Sequence, residues 1–202
     1  MTNQEIISQA YNSLSGKWLK TLFPFFIVAL IPNLYQPSVN YSPPIYLAFI
    51  SLFASGPIIY GGSLLALKIS KNEDFNFEMI FAGFNHFIKT LLLYVSFVLI
   101  IIAGLILFII PGIYFSLKYA MCFFALVENP EISIGEALQK SSDLMKEDKW
   151  KLFLLYLLFF LIVLAGFITL IGWLWAFPLI YVSNAIFYEY LKNKQQITKS
   201  EW

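Results

Sequence analysis

Residues 90–127 read TLLLYVSFVLIIIAGLILFIIPGIYFSLKYAMCFFALV, and this stretch decides the class of fold. Its one charged side chain is that of Lys118. The run before Pro111 is long enough to cross a bilayer as an α-helix, which takes about 20 apolar residues. Pro111-Gly112 interrupts that run, because proline lacks the backbone donor that a helix interior needs. We therefore predict a membrane hairpin with its turn at Pro111-Gly112. The returning run, 113–127, is short, so it either crosses fully or re-enters part-way.

The composition of the whole chain supports a membrane protein. Of the 202 residues, 59% are hydrophobic and only 12% are charged, whereas soluble domains carry about 25% charged residues. The formal net charge is +1, which does not favour a nucleic-acid partner. All 13 basic residues other than the histidine are Lys, so the bidentate clamps that Arg forms on phosphate are absent. Cys122 is the one cysteine, which excludes an intrachain disulfide.

The apolar runs alternate with polar segments along the chain. We predict an all-α polytopic membrane protein with six transmembrane helices, and a single integral membrane domain over residues 1–202. The six runs are 17–35, 45–69, 89–110, 113–127, 150–169 and 172–191. Three polar segments, 2–16, 77–86 and 133–145, have apolar residues at helical spacing and are predicted to lie at the cytoplasmic interface as amphipathic helices. Thr2 with Glu5, and Ser133 with Glu136, have the spacing of a capping box at a helix start.

A short motif, Pro followed three residues later by Tyr, occurs in each returning arm. Its copies are Pro57 to Tyr60, Pro111 to Tyr114 and Pro178 to Tyr181. The motif predicts three parallel hairpin repeats, with units of about 1–69, 70–127 and 128–202. Pro57, Pro178 and the pair Pro111-Gly112 are the predicted structural bends. In the second run, Gly56, Gly61 and Gly62 allow close helix packing.

Charge placement predicts the orientation. Apart from Lys118, the charges lie near one end of the apolar runs, and Lys near span ends is retained in the cytoplasm. Both termini are therefore predicted to be cytoplasmic. Trp18 and Trp150 would then mark the inner membrane interface, and Trp173 and Trp175 the outer one.

Several side chains are candidates for a functional site. Lys118, inside an apolar run, is a functional hypothesis by default, although its long stem can also carry the ammonium to the interface. Glu128 and Glu189, near the inner ends of returning runs, either face a polar vestibule that binds a cation or are interfacial carboxylates beside Lys. The tyrosines of the motif either line a common cavity or are unrelated interfacial residues; they are Tyr60, Tyr114 and Tyr181.

No catalytic or metal-binding set is predicted. His86 has no His, Cys or carboxylate three or four residues away, so a metal site would need ligands from elsewhere in the fold. Ser141 and Ser142 lack the Gly-x-Ser-x-Gly context of a nucleophile. We expect no cofactor.

A set of short motifs occurs between Pro111 and Leu191. They are Pro111-Gly112-Ile113, Tyr119, Glu128-Asn129-Pro130, Ser133 through Leu138, Ser141 through Lys146, Trp150 through Phe153 and Phe187-Tyr188. With these motifs the segment resembles an uncharacterised bacterial membrane family, domain of unknown function 975, and upstream glycines extend the resemblance over most of the chain. The same segment is similar to the membrane domain of some glycerophosphoryl diester phosphodiesterases. The resemblance implies a bacterial plasma membrane protein and no known activity.

These observations favour a non-enzymatic membrane protein. It would bind membrane lipids or an amphipathic peptide, or act as the membrane partner of another protein or of a second copy of itself. The alternative is a transporter or channel component that uses a polar site near Lys118. An enzyme ranks third.

Overall fold

The fold is described from a computed structural model, which covers residues 1–38, 41–168 and 172–200. The described chain is helical and contains no strand, only an isolated bridge between Ser38 and Tyr41. The α-helices are α1 Asn3–Leu14, α2 Trp18–Leu30, α3 Ile45–Ser70, α4 Phe87–Leu107, α5 Ile109–Lys118, α6 Cys122–Glu128, α7 Ile134–Leu144, α8 Lys149–Ile168 and α9 Gly172–Ser200. Ile31–Asn33 and Phe77–His86 are 3₁₀ helices.

Four helical segments of the described chain are long and apolar enough to cross a membrane. They are Ile45–Ser70, Phe77–Leu107, Ile109–Glu128 and Lys149–Gly166. Asn3–Leu14 together with Trp18–Asn33 would be a fifth if this pair, bent by 115°, forms one span. The chain is therefore an all-helical protein with the apolar helices of a membrane protein, while the predicted six spans and three repeats are not confirmed.

Helix α3 is the centre of the bundle. It contacts α1, α2, α4, α6 and α9, and 67% of its most apolar window is buried, against 17% for the windows of Phe77–Leu107 and α8. The peripheral helices thus present apolar side chains outward, as expected where lipid replaces water around the protein. The short helix α6 is the other buried element, because every residue from Cys122 to Val127 is buried.

The 3₁₀ helix Phe77–His86 packs on α3 by direct backbone contact. A Cβ atom on Gly61 would overlap the carbonyl oxygen of Ile80, and one on Gly83 would overlap the carbonyl oxygen of Pro57. Small residues allow such approaches between helices in apolar surroundings, so the predicted close packing of α3 is confirmed. Runs of 3₁₀ helix beyond three or four residues are uncommon, and the backbone contacts with α3 help to stabilise this one. The Asn76 side chain caps its start by accepting a hydrogen bond of 3.3 Å from the Met79 N–H.

The polar helices begin where the sequence predicts. Thr2 accepts a hydrogen bond from the Glu5 backbone while the Glu5 carboxylate accepts one from Thr2, which completes a capping box. Ser133 and Glu136 form the same arrangement at the start of α7. The segment predicted as the second amphipathic helix is the 3₁₀ helix.

The position of the hairpin turn differs from the prediction at Pro111-Gly112. Helix α4 ends at Leu107, Phe108 is extended, and α5 begins at Ile109. Pro111 is the third residue of α5, where its missing N–H costs no intrahelical hydrogen bond. The return therefore consists of α5 and α6, divided at 119–121, rather than of one run over 113–127. The other two predicted bends, Pro57 and Pro178, lie inside α3 and α9, which continue through them.

The first helix lies along the bundle. Asn3 donates a hydrogen bond of 3.1 Å to the Lys151 carbonyl at the start of α8, and Ile7 lines a groove with Leu158 and Ile162 further along α8. The chain then turns by 115° into α2.

A contact between two tryptophan rings contradicts one predicted assignment of residues to the membrane interfaces. The ring of Trp18 lies 5.4 Å from the ring of Trp175. Two rings in contact cannot mark opposite faces of a hydrocarbon core about 30 Å thick, so the assignment of this pair to opposite interfaces is wrong. The side chain of Trp173 and the turn at 169–171 lie outside the described structure.

The backbone contact at Gly61 gives a stability test. Gly61→Ala is expected to lower the free energy of unfolding by about 3 kcal/mol, because the new methyl group overlaps a backbone atom that cannot move independently. The measurement is thermal unfolding of the purified protein in detergent. The control is Gly135→Ala in α7, where nothing lies within 4 Å of the added atom and a gain of up to about 1 kcal/mol is expected. Equal effects of the two substitutions would contradict this packing.

Candidate functional site

The two candidate carboxylates, Glu128 and Glu189, belong to one network of ion pairs at the end of the bundle. Glu128, the last residue of α6, accepts a hydrogen bond of 2.8 Å from the Tyr188 hydroxyl. It also pairs with Lys140 of α7 at 3.0 Å and with Lys192 of α9. This carboxylate therefore joins α6 to the next helix, α7, and to the distant helix α9.

Glu189 is linked to the same network through Lys192, whose ammonium lies 3.7 Å from Oε2 of Glu189. Its Oε1 atom lies 3.3 Å from the Lys71 ammonium, without the geometry of a hydrogen bond. Lysines thus surround both carboxylates, which is the arrangement expected if they are interfacial carboxylates beside Lys rather than part of a cation-binding vestibule. This arrangement stabilises helix packing and leaves no unpaired charge for a cation.

Lys194 of α9 forms a second connection, to the residues that directly precede α8. Its ammonium lies 2.7 Å from Asp148 and 3.1 Å from Glu147. The hydrogen bond to the Asp148 carboxylate raises the pKa of the Lys194 ammonium. Nearby, the ammonium of Lys151 lies 3.8 Å above the ring of Tyr190.

The contribution of the first network can be measured at Glu128. Glu128→Gln is expected to lower the free energy of unfolding by about 2 kcal/mol, because charged hydrogen bonds to two lysines become neutral ones. Thermal unfolding in detergent gives the measurement. Glu131→Gln, three residues away at an exposed position, is the matched control and is expected to change little; a change as large as that of Glu128→Gln would show that the network contributes nothing specific.

Lys118 lies at the junction of α5 and α6, beside the polar helix α7. Its carbonyl accepts a hydrogen bond of 3.0 Å from the Ser141 hydroxyl, and that hydroxyl in turn accepts one of 3.1 Å from the Met121 N–H. Ser141 therefore bridges the break between the two helices. The Lys118 ammonium lies 5.1 Å from the centre of the Tyr119 ring. Contact with α7 places the backbone of Lys118 next to the charged segment of the chain.

The three tyrosines of the repeated motif have different surroundings. Tyr60 is buried, with its ring centre 6.0 Å from that of His86. Tyr114 is exposed, and the Lys149 ammonium lies 5.3 Å from its ring. Tyr181 stacks on Phe25 with ring centres 5.2 Å apart. The structure does not bring these residues together into one cavity.

Tyr181 instead lines a groove between α2, α8 and α9. The groove has a volume of about 720 Å³, within the range of small-molecule sites. Most of its lining is apolar, and none of the lining side chains is charged. The lining residues are Phe26, Val28, Ala29, Leu30, Pro32, Asn33, Tyr156, Phe177, Ile180, Tyr181 and Asn184.

The polar groups of this groove are phenols and an amide. Tyr156, Tyr181 and Asn184 all line it, and the Oδ1 atom of Asn184 is buried without a hydrogen-bond partner among the described residues. The Tyr181 hydroxyl makes no hydrogen bond within the described residues. Asn33, at the edge, is already engaged with Ala29 and Gln36, both at 2.9 Å.

Sequence reasoning selected Tyr181 and missed Tyr156 and Asn184. Asn184 is an uncharged amide within the last apolar run, and polar side chains inside such runs often mark functional sites. That signal was available. The shared position of Asn184 and Tyr156 in one groove was not, because the two residues are on different helices and only the packing of α8 on α9 brings both to it.

The described residues contain no group of three or more His, Cys, Asp or Glu side chains that could hold a metal ion. His86 contacts Tyr60, as noted above, and Cys122 is buried in α6.

The fold and the groove define an all-helical protein with membrane-type apolar helices and an uncharged site between them. Residues 93–195, just over half of the chain, match the family described as "Protein of unknown function (DUF975)", and the chain belongs to this family. No curated protein and no solved structure matches the chain. The similarity to the membrane domain of glycerophosphoryl diester phosphodiesterases is not confirmed.

Proposed function

We propose that this protein is a non-enzymatic integral membrane protein that binds a membrane lipid in the groove between α2, α8 and α9. The observation that carries the proposal is the groove itself, which is about 720 Å³ in volume and mostly apolar, with a few uncharged polar side chains in its lining. An amphiphile has the same division, with a long apolar part and a small polar part.

Size favours a lipid over a helical peptide as the occupant. An α-helix with its side chains is about 10 Å wide, whereas one lipid chain is much thinner and needs only a narrow groove. The proposal therefore selects the lipid from the occupants that the sequence allows.

The proposal includes a location in the bacterial plasma membrane, with several passes and with both termini in the cytoplasm. Met1 lines a pocket together with Asn193 of α9, so the N-terminus and the C-terminal helix lie at the same side of the molecule. Lysines concentrate on this side, in the networks of Glu128 and Asp148, and such residues are retained in the cytoplasm.

Filling the groove is the test of lipid binding. Ala29→Trp is expected to abolish most lipid co-purification, because Ala29 lines the groove and an indole would occupy the space of a lipid chain. Native mass spectrometry of the protein released from detergent counts the retained lipids. Ala103→Trp, at an exposed position on α4, is the control and is expected to retain lipid. Equal lipid retention by the two variants would exclude this groove as the site.

The orientation has a separate test with single cysteines and a membrane-impermeant maleimide. Gln9→Cys and Gln196→Cys, both at exposed positions, are expected to react only after the cells are permeabilised. Ser42→Cys, in the loop between α2 and α3, is expected to react in intact cells. Cys122 is 1% exposed and should contribute little signal. Labelling of position 9 or 196 in intact cells would contradict cytoplasmic termini.

A further inference from the structure

One acceptor in the groove between α2, α8 and α9 lacks a hydrogen-bond donor. The Oδ1 atom of Asn184 is buried and has no hydrogen-bond partner among the described residues. An amide oxygen accepts hydrogen bonds and donates none. An unpaired acceptor in apolar surroundings costs free energy, and a ligand that brings a donor to it recovers that free energy.

The position of Asn184 makes this acceptor available to a molecule in the groove. The side chain is part of the groove lining. Its Oδ1 atom is covered from solvent, so water does not supply the missing donor. The last side-chain torsion of asparagine has a broad energy profile, so a small rotation turns the oxygen towards an occupant of the groove.

The rest of the lining restricts the chemistry of the occupant. None of the lining side chains is charged, and an ionised head group among them would lose its hydration without compensation. Phe26, Phe177 and Ile180 give the groove an apolar wall that suits an acyl chain. The occupant therefore combines an apolar chain, no charge and a hydrogen-bond donor. Ester and ether oxygens only accept, so the lipid needs a further group, and a hydroxyl is the smallest uncharged one that donates.

We propose that the groove binds a diacylglycerol whose free hydroxyl donates a hydrogen bond to Oδ1 of Asn184, an inference that rests on the proposed lipid-binding function. A diacylglycerol is uncharged and carries one O–H group beside its two acyl chains. In a phospholipid the same hydroxyl is esterified to phosphate, so the donor is lost and a charge is gained at that position. The groove thus selects the neutral lipid over the phospholipid.

The experiment compares two neutral lipids with identical acyl chains on adjacent carbons. One is dioleoylglycerol with its hydroxyl free, and the other is the dioleate diester of propanediol, in which hydrogen replaces that hydroxyl. The delipidated full-length protein is loaded with an equimolar mixture in detergent, and native mass spectrometry measures the bound ratio. The expected preference for the hydroxyl lipid is about five-fold, which corresponds to one neutral hydrogen bond. A separate loading uses dioleoylphosphatidylglycerol.

Asn184→Leu removes the acceptor and keeps a side chain of similar size. It is expected to bring the bound ratio close to one while both neutral lipids are still retained. Asn33→Leu, at the edge of the same groove, is the matched control and should keep the preference, because the Asn33 amide is already engaged with Ala29 and Gln36. Thermal unfolding checks that the variants are folded, and Asn184→Ala replaces the leucine variant if that one does not fold.

The outcomes separate this inference from the proposed function. Retention of both neutral lipids without preference, or of phosphatidylglycerol alone, would overturn the hydroxyl contact and leave lipid binding intact. Retention of no lipid at all would overturn both. A preference that persists without the Asn184 acceptor, or that is also lost in Asn33→Leu, would overturn the assignment to Asn184.

Discussion

The architecture depends on direct backbone contact between α3 and the 3₁₀ helix that follows it. At Gly61 and Gly83 the two segments approach until no side chain fits between them. In apolar surroundings helices gain little from burying more apolar surface, so close van der Waals contact is the available source of specificity. Because the 3₁₀ helix leads directly into α4, this contact also sets where the hairpin of α4 and α5 leaves the bundle.

Polar interactions are concentrated in two regions that perform different tasks. At one end, Glu128 and Glu189 are held by lysines from the C-terminal end of α3, from α7 and from α9, and the resulting network adds ionic links between helices that also share the apolar core. In the groove, Tyr156, Tyr181 and Asn184 form a small uncharged patch in an apolar wall. The charged network pairs its carboxylates with lysines and so stabilises structure, whereas the groove contains an uncharged acceptor without a partner, Asn184 Oδ1, which indicates a place for a ligand. This difference is why the groove, and not the carboxylate network, is the candidate site.

Local signals in the sequence were reliable. The capping boxes at Thr2 and Ser133 form as predicted, because their hydrogen bonds connect residues three positions apart. The prediction of the hairpin turn was less accurate. The sequence predicts the break at the proline, but α5 accommodates Pro111 in its first turn, and the chain bends at Phe108 instead. A proline can occupy only certain positions of a helix, but its presence does not decide whether the chain turns before it or after it.

By itself the sequence determined the chemical class of the protein. Low charge, long apolar runs and glycines in α3 require an all-helical chain with apolar surroundings, because unpaired backbone groups cannot be left in lipid. Which side chains meet was decided by tertiary structure alone. Trp18 meets Trp175 because α2 packs on α9, and Tyr156 and Asn184 line one groove because α8 packs on α9. Apolar helices have many nearly equivalent faces, so their sequence pattern does not specify how each helix is rotated and at what angle it crosses its neighbours. Backbone contacts that form only in the assembled bundle specify this geometry.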